Sequence, residues 1–199
     1  MAAALRQGNR RRAIGFVLWW ALFLAIAVVT LTVEEPGRAA ASIANGTAYR
    51  DEMLSWIRSG DGRESTPSIF IPQHLAHAAI FCVVSLATAG MASMVMGAFL
   101  MNYMSFYVGD LFTRCLAAPG HTGAMLIAWN PWSIVRVASF IVLGVLMAEP
   151  LLSRRAGYRH DPGRRSVWLV LALSGLLLDI VLKTLLAPLW PPILRGCLG

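Results

Sequence analysis

Asp179 and Lys183 lie four residues apart in LLLDIVLKTLLAPLW (residues 176–190), a run otherwise almost wholly apolar. At that spacing an acid and a base share one helix face and partly neutralise each other. Either one buried alone in lipid is costly, so such groups turn to the protein interior or a wet cavity. Two chemistries fit. One is a proton, ion or substrate site in an outward-facing cavity. The other is an ion pair that docks this helix to a neighbour, with Arg114 or Arg136 as candidate partners. The second asks less of the sequence, because the pair marks a face turned from lipid without specifying a reaction.

His74 and His77, in HLAH, stand at i and i+3 and so on one helix face, which two metal ligands could use. His121, Asp110 or Glu52 could supply a third. The signal is weak, since HExxH is absent, and interfacial histidines bonded to backbone or water explain the pair as well. Haem between helices would need axial histidines deeper in the spans, where none is found, and no cofactor is indicated. There is no GxSxG, and no serine has an evident base beside it. Met91, Met94, Met96, Met101 and Met104 read as core or lipid-facing filler, or as an adaptable binding surface.

These residues sit in a membrane chain. Of 199 residues 57% are hydrophobic and only 14% charged, against about 25% charged in soluble domains. The 17 basic residues, all but Lys183 arginine, cluster at the ends of apolar runs. That argues against nucleic acid as a partner and for lipid. The sequence predicts an all-α, polytopic integral membrane bundle of about five spans in a single membrane domain. Arg10–Arg12 precede a first span over 13–33, with Glu34 and Glu35 beyond it, which places the N-terminus in the cytoplasm. Residues 34–73 form an outer loop, in which AYRDEMLSWIRSGDG suits a short amphipathic helix on the outer surface. The prolines of STPSIFIPQ discourage a helix there. The Asn45-Gly46-Thr47 sequon is short enough to arise by chance.

Residues 75–116 are long enough for about 63 Å of helix at 1.5 Å per residue, twice a hydrocarbon core of about 30 Å. Ser85, Ala89, Ser93, Gly97, then Ser105 and Gly109, recur every four residues as a small-residue packing seam, with Met101 the one large member. The continuity of that seam favours one long helix, giving four spans. Topology favours a hairpin turning near Gly90–Gly97. The loop at 153–165 holds five arginines and belongs inside, so an even number of spans must precede it. The five-span reading is adopted. A linker over 117–133 is interfacial or re-entrant, with Trp129 and Trp132 at headgroup depth. A span over 134–152 ends at Pro150, where Glu149 can pair with Arg154 or Arg155. The last span covers 166–187, and an outer tail 188–199 carries Trp190 at the interface.

Under that threading His74, His77, Asp110, Arg114, His121 and Arg136 share the outer half of the bundle with Asp179 and Lys183. Cys115 and Cys197 share a side, where an oxidising compartment would let them pair, although buried thiols are the plainer reading. The abundant arginine leans towards a bacterial inner membrane. The expected function is a small structural or accessory subunit, joined through helix packing to other membrane subunits or to its own copies. An intramembrane metal enzyme built on the histidines, or a transporter component built on Asp179 and Lys183, are the alternatives.

Overall fold

The computed structural model describes residues 2–6, 9–43, 45–118, 120, 122–156 and 165–198. His121, His160 and most of the basic loop after residue 156 lie outside the described residues. Among those described, regular structure is entirely helical, and five helices are long and apolar enough to cross a membrane. The elements are α1 (Ala2–Arg6), α2 (Arg10–Glu34), α3 (Pro36–Ser42), α4 (Gly46–Ser59), α5 (Pro67–Ala87), α6 (Met91–Ala117), α7 (Pro131–Ala156), α8 (Arg165–Leu186) and α9 (Trp190–Leu194). Short 3-10 turns lie at Arg63–Ser65, Thr122–Ile127, Ala187–Leu189 and Arg195–Leu198.

The spans begin and end for local reasons. The Asn9 side chain caps α2 by accepting from the Arg12 N–H at 3.0 Å. Pro36, at the first position of α3, cannot continue α2 and starts a new helix. The 75–116 stretch is a hairpin. Its break falls at Ala89 and Gly90, both in the left-handed region at φ 53° and 84°, and the Gly90 N–H returns to the Ser85 carbonyl at 2.8 Å. Glycine takes that conformation without strain. The small-residue seam is therefore not one helical stripe: Ser85 closes α5, Ala89 lies in the turn, and Ser93, Gly97, Ser105 and Gly109 belong to α6.

Two proline expectations are corrected. The stretch read as discouraging a helix is the start of α5, which runs from Pro67 through Pro72. Pro67 sits at the first helical position, where its missing N–H costs nothing, and Pro72 forfeits one hydrogen bond in the second turn. Pro150 does not end α7, which continues to Ala156. The Leu146 carbonyl, four residues before Pro150, accepts instead from Arg165 Nη2 at 3.3 Å. Glu149, expected to pair with Arg154 or Arg155, has a partner on another helix; the Arg155 side chain lies outside what the structure describes. Glu149 takes Arg10 Nε at 3.0 and 3.1 Å on its two oxygens, joining α2 to α7.

Helices α2, α6, α5 and α7 form a ring, and α8 packs on the outside of α7. Close approach is set by glycine at a few points. A Cβ on Gly109 would lie 2.6 Å from the Thr32 Cβ and 3.1 Å from the Val29 carbonyl oxygen. The Ser85 hydroxyl donates to the Gly144 carbonyl at 2.8 Å, tying α5 to α7. At one end of the ring, α4 buries Met53, Leu54, Trp56 and Ile57 in a cluster with Leu111 and Leu194, so its apolar side faces protein. The tail folds back over the same end through α9, and Cys115 and Cys197 form a disulfide. Trp132, expected at headgroup depth, is fully buried in this cluster with its ring 5.1 Å from that of Trp190.

Gly109→Ala should destabilise the protein by about 1–3 kcal/mol, the usual range for overpacking. Gly97→Ala, whose added Cβ would meet nothing nearer than Phe81 at 3.8 Å, should be neutral or slightly stabilising, because alanine is the better helix former. Thermal unfolding in one detergent reads both, and equal midpoints would refute the close α2–α6 contact.

Candidate functional site

Asp179 and Lys183 of α8 do not pair with each other. Asp179 is 1% exposed and accepts a two-pronged contact from Arg136 of α7, with Nε on Oδ2 and Nη2 on Oδ1, each at 2.9 Å. A guanidinium and a carboxylate in that geometry make a strong, directional pair. His74 of α5 brings Nδ1 to 3.4 Å from the same Oδ2. That contact is too long and misaligned for a hydrogen bond and becomes an ion pair when the imidazole is protonated. Lys183, also 1% exposed, reaches Glu64 Oε2 at 2.8 Å, and its Nζ lies 4.5 Å from the centre of the Phe70 ring. The expected mutual neutralisation is thus replaced by two pairs with other elements, because one helix face can meet two neighbours at successive turns.

Glu64 is positioned by a small hydrogen-bonded turn. Trp56 Nε1 donates to Ser65 Oγ at 2.6 Å, and Ser65 Oγ donates to the Gly60 carbonyl at 2.8 Å. Gly60 ends α4 at φ 81°, where a side chain would be strained. The turn therefore carries Arg63 and Glu64 from α4 back to the mouth of the ring. Arg63 Nε stands 3.5 Å from Glu52 Oε1, a loose and largely exposed contact.

A cavity of about 620 Å³ lies within the ring of α2, α5, α6 and α7, inside the range of about 300–1,000 Å³ common for small-molecule sites. Its two ends differ. Near α4 it is lined by Tyr49, Glu52, Arg63, Glu64, His74, His77 and Arg136. Towards the opposite end the lining is apolar, with Phe16, Val17, Met94, Ile141, Gly144 and Val145. Along α6 it extends from Gly90 to Met104, about 21 Å at 1.5 Å per residue. The side wall is incomplete: Phe16, Trp20, Phe23 and Met94 line the cavity and are also exposed on the outer surface of the bundle. Burial, reinforced by the charge of Glu64, raises the Tyr49 phenol well above its ordinary pKa, so this residue stays neutral.

Of the polar cluster read from the sequence, the structure gathers His74, His77 and Arg136 at one end of this cavity, with Asp179 held behind Arg136 and Lys183 behind Glu64. Asp110 and Arg114 pair at 2.7 Å on α6, outside the cavity lining. Ser93 and Gly97 line the cavity, whereas Gly109 makes the close contact with α2. Among the described residues, no group of three or more His, Cys, Asp or Glu side chains is placed to hold a metal ion. Arg63, Glu64 and Tyr49 were not anticipated. The one available signal was Lys183 itself, since a lysine in the outer half of a span requires an acid near its end. Comparison with family models, curated proteins and solved structures finds no match to this chain.

Removing one partner of a buried ion pair leaves the other uncompensated, at a cost of about 3–5 kcal/mol. Asp179→Ala should therefore lower the unfolding midpoint sharply. The Asp179→Leu/Arg136→Met double variant should recover most of the loss, since an apolar pair of similar size often substitutes well. A midpoint unchanged in Asp179→Ala would show that the pair does not hold α8 to α7.

Proposed function

We propose that this chain binds one amphiphilic molecule, taken sideways from the bilayer, with its apolar part in the cavity and its headgroup beneath α4. The observation that carries this reading is the two-ended cavity. Protein interiors are close-packed, and a void of this size deprives its lining of dispersion contacts. An occupant with one apolar and one polar end restores those contacts along the whole length. The open side wall faces lipid, which is where such molecules are found.

The test is purification in mild detergent followed by extraction and mass spectrometry. One amphiphile per chain is expected. Ala98→Phe combined with Gly97→Leu, which fills the cavity from α6, should lose it while keeping the helical content. An empty wild type, or equal occupancy in the filled variant, would reject the proposal.

The setting proposed is a bacterial cytoplasmic membrane with the N-terminus inside. Arginine-rich inner flanks support it. So does the disulfide, which lies at the end of the bundle opposite Arg10–Arg12 and forms readily only in an oxidising compartment. After reduction of intact spheroplasts, a membrane-impermeant maleimide should label Cys115 and Cys197, and no labelling without reduction is expected. Labelling confined to inverted vesicles would reverse the topology.

An accessory-subunit role is a second reading, favoured by Trp19. That residue is 72% exposed near the middle of α2, whereas membrane tryptophans favour the interfaces. A neighbouring subunit's helix would cover it. Partners that co-purify at fixed stoichiometry with an empty cavity would move the conclusion to this reading.

A further inference from the structure

The polar end of the cavity carries more information than its polarity. Its formal charges come in three pairs: Arg136 with Asp179, Lys183 with Glu64, and Arg63 with Glu52. The first two are short and anchored on buried partners. The third is a 3.5 Å contact between side chains that are 62% and 47% exposed. Exposed pairs of this kind contribute little and exchange readily.

Two guanidinium groups at this end keep unspent donors. Arg136 spends Nε and Nη2 on Asp179, and its Nη1 makes no hydrogen bond to any described residue. Arg63 spends only its long contact to Glu52. His77 makes no hydrogen bond or ion pair to any described residue. On the acceptor side, Glu64 gives Oε2 to Lys183 and Glu52 gives Oε1 to the long Arg63 contact, so each keeps one carboxylate oxygen. Two guanidinium groups nevertheless present unspent edges to the cavity, and one of them is held only by an exposed pair. Guanidinium edges match the spacing of carboxylate and phosphate oxygens.

Resting on the amphiphile reading above, we infer that this end is an oxyanion site. Arg63, the Nη1 edge of Arg136 and His77 select amphiphiles with a carboxylate or phosphate-monoester headgroup over uncharged ones. Asp179 fixes the orientation of Arg136. Arg63 exchanges Glu52 for the headgroup, and Glu52 turns to water. Glu64 does not repel the occupant strongly, because Lys183 holds its charge from behind.

The test uses the full chain in nanodiscs and three probes of equal chain length: palmitate, palmitoyl lysophosphatidic acid and monopalmitoylglycerol. Both anionic probes should bind at least tenfold more tightly than the neutral one. Whichever is tighter tells a carboxylate from a phosphate source. Arg63→Gln, at an exposed side chain with one loose contact, should abolish that preference. Glu52→Gln, which frees Arg63, should tighten the anionic probes. Equal affinity for all three in the wild type, or a preference surviving Arg63→Gln, would overturn the oxyanion site while leaving the cavity as an amphiphile site. Displacement of palmitate by inorganic phosphate would overturn it in favour of a soluble anion. Binding of none of the three, with the Gly97→Leu/Ala98→Phe variant indistinguishable, would overturn the amphiphile reading itself.

Discussion

The arrangement depends on one constraint: an ionised side chain between membrane-spanning helices must find its counter-charge inside the protein. Asp179 and Lys183 meet it by reaching in two directions from one face of α8. Asp179 binds Arg136 on α7 and lies beside His74 on α5, and Lys183 binds Glu64 on the turn after α4. The α4–α5 segment, α7 and α8, far apart in sequence, are thereby fixed around one point. The rotation of α8 about its axis is set by these contacts, since its apolar residues alone would tolerate several orientations against lipid. The same contacts determine which groups face the cavity, because Arg136 and Glu64 are held there by partners lying behind them.

A second pair performs a different task at the other end. Arg10 and Glu149 are both buried and bind through two oxygens, closing α2 onto α7 below the apolar end of the cavity. Higher up, α2 leans on α6, where Gly109 lets Thr32 and Val29 come close. The ring is thus pinned at the Arg10–Glu149 pair and along the α2–α6 contact, and the space between those attachments is left unfilled. The cavity follows from where the helices are tied as much as from the size of its lining residues.

The number of spans was legible in the sequence, and the reason is charge. With Arg10–Arg12 and the late arginine loop read on one side, the charges flanking the first helix favour an odd count in which the long apolar stretch turns, whereas the arginine total alone fits four spans equally well. Glycine and serine near residue 90 marked the turn to within a few residues. Pair partners were not legible. An i, i+4 spacing says that Asp179 and Lys183 share a face, not that they bind each other, and Arg136 and Glu64 are 43 and 119 positions away respectively. Prolines misled twice for different reasons: Pro67 stands at the first helical position, where no N–H is missed, and the carbonyl that Pro150 orphans, that of Leu146, finds Arg165. The small-residue seam shows a further limit. Gly109 produces close approach and Gly97 produces a void, and nothing in their spacing distinguishes the two outcomes. Each depends on whether the opposing helix is free to move in.

The position of the opening follows from the same ties. The end beneath α4 is capped by buried Met53, Leu54, Trp56 and Ile57, by the folded tail, and by a covalent link from α6 to residue 197, with Arg63 and Glu52 exposed at its edge. Moving that cap would expose a cluster of large apolar and aromatic side chains together. The opposite end is closed by the Arg10–Glu149 pair, whose separation would strand two buried charges. The side wall carries neither obstacle. Phe16, Trp20, Phe23 and Met94 line the cavity and are also exposed on the outer surface of the bundle, and in a bilayer their displacement exchanges one apolar contact for another. For an occupant drawn from the bilayer, the sideways route is therefore the one that breaks no ion pair, no disulfide and no packed core.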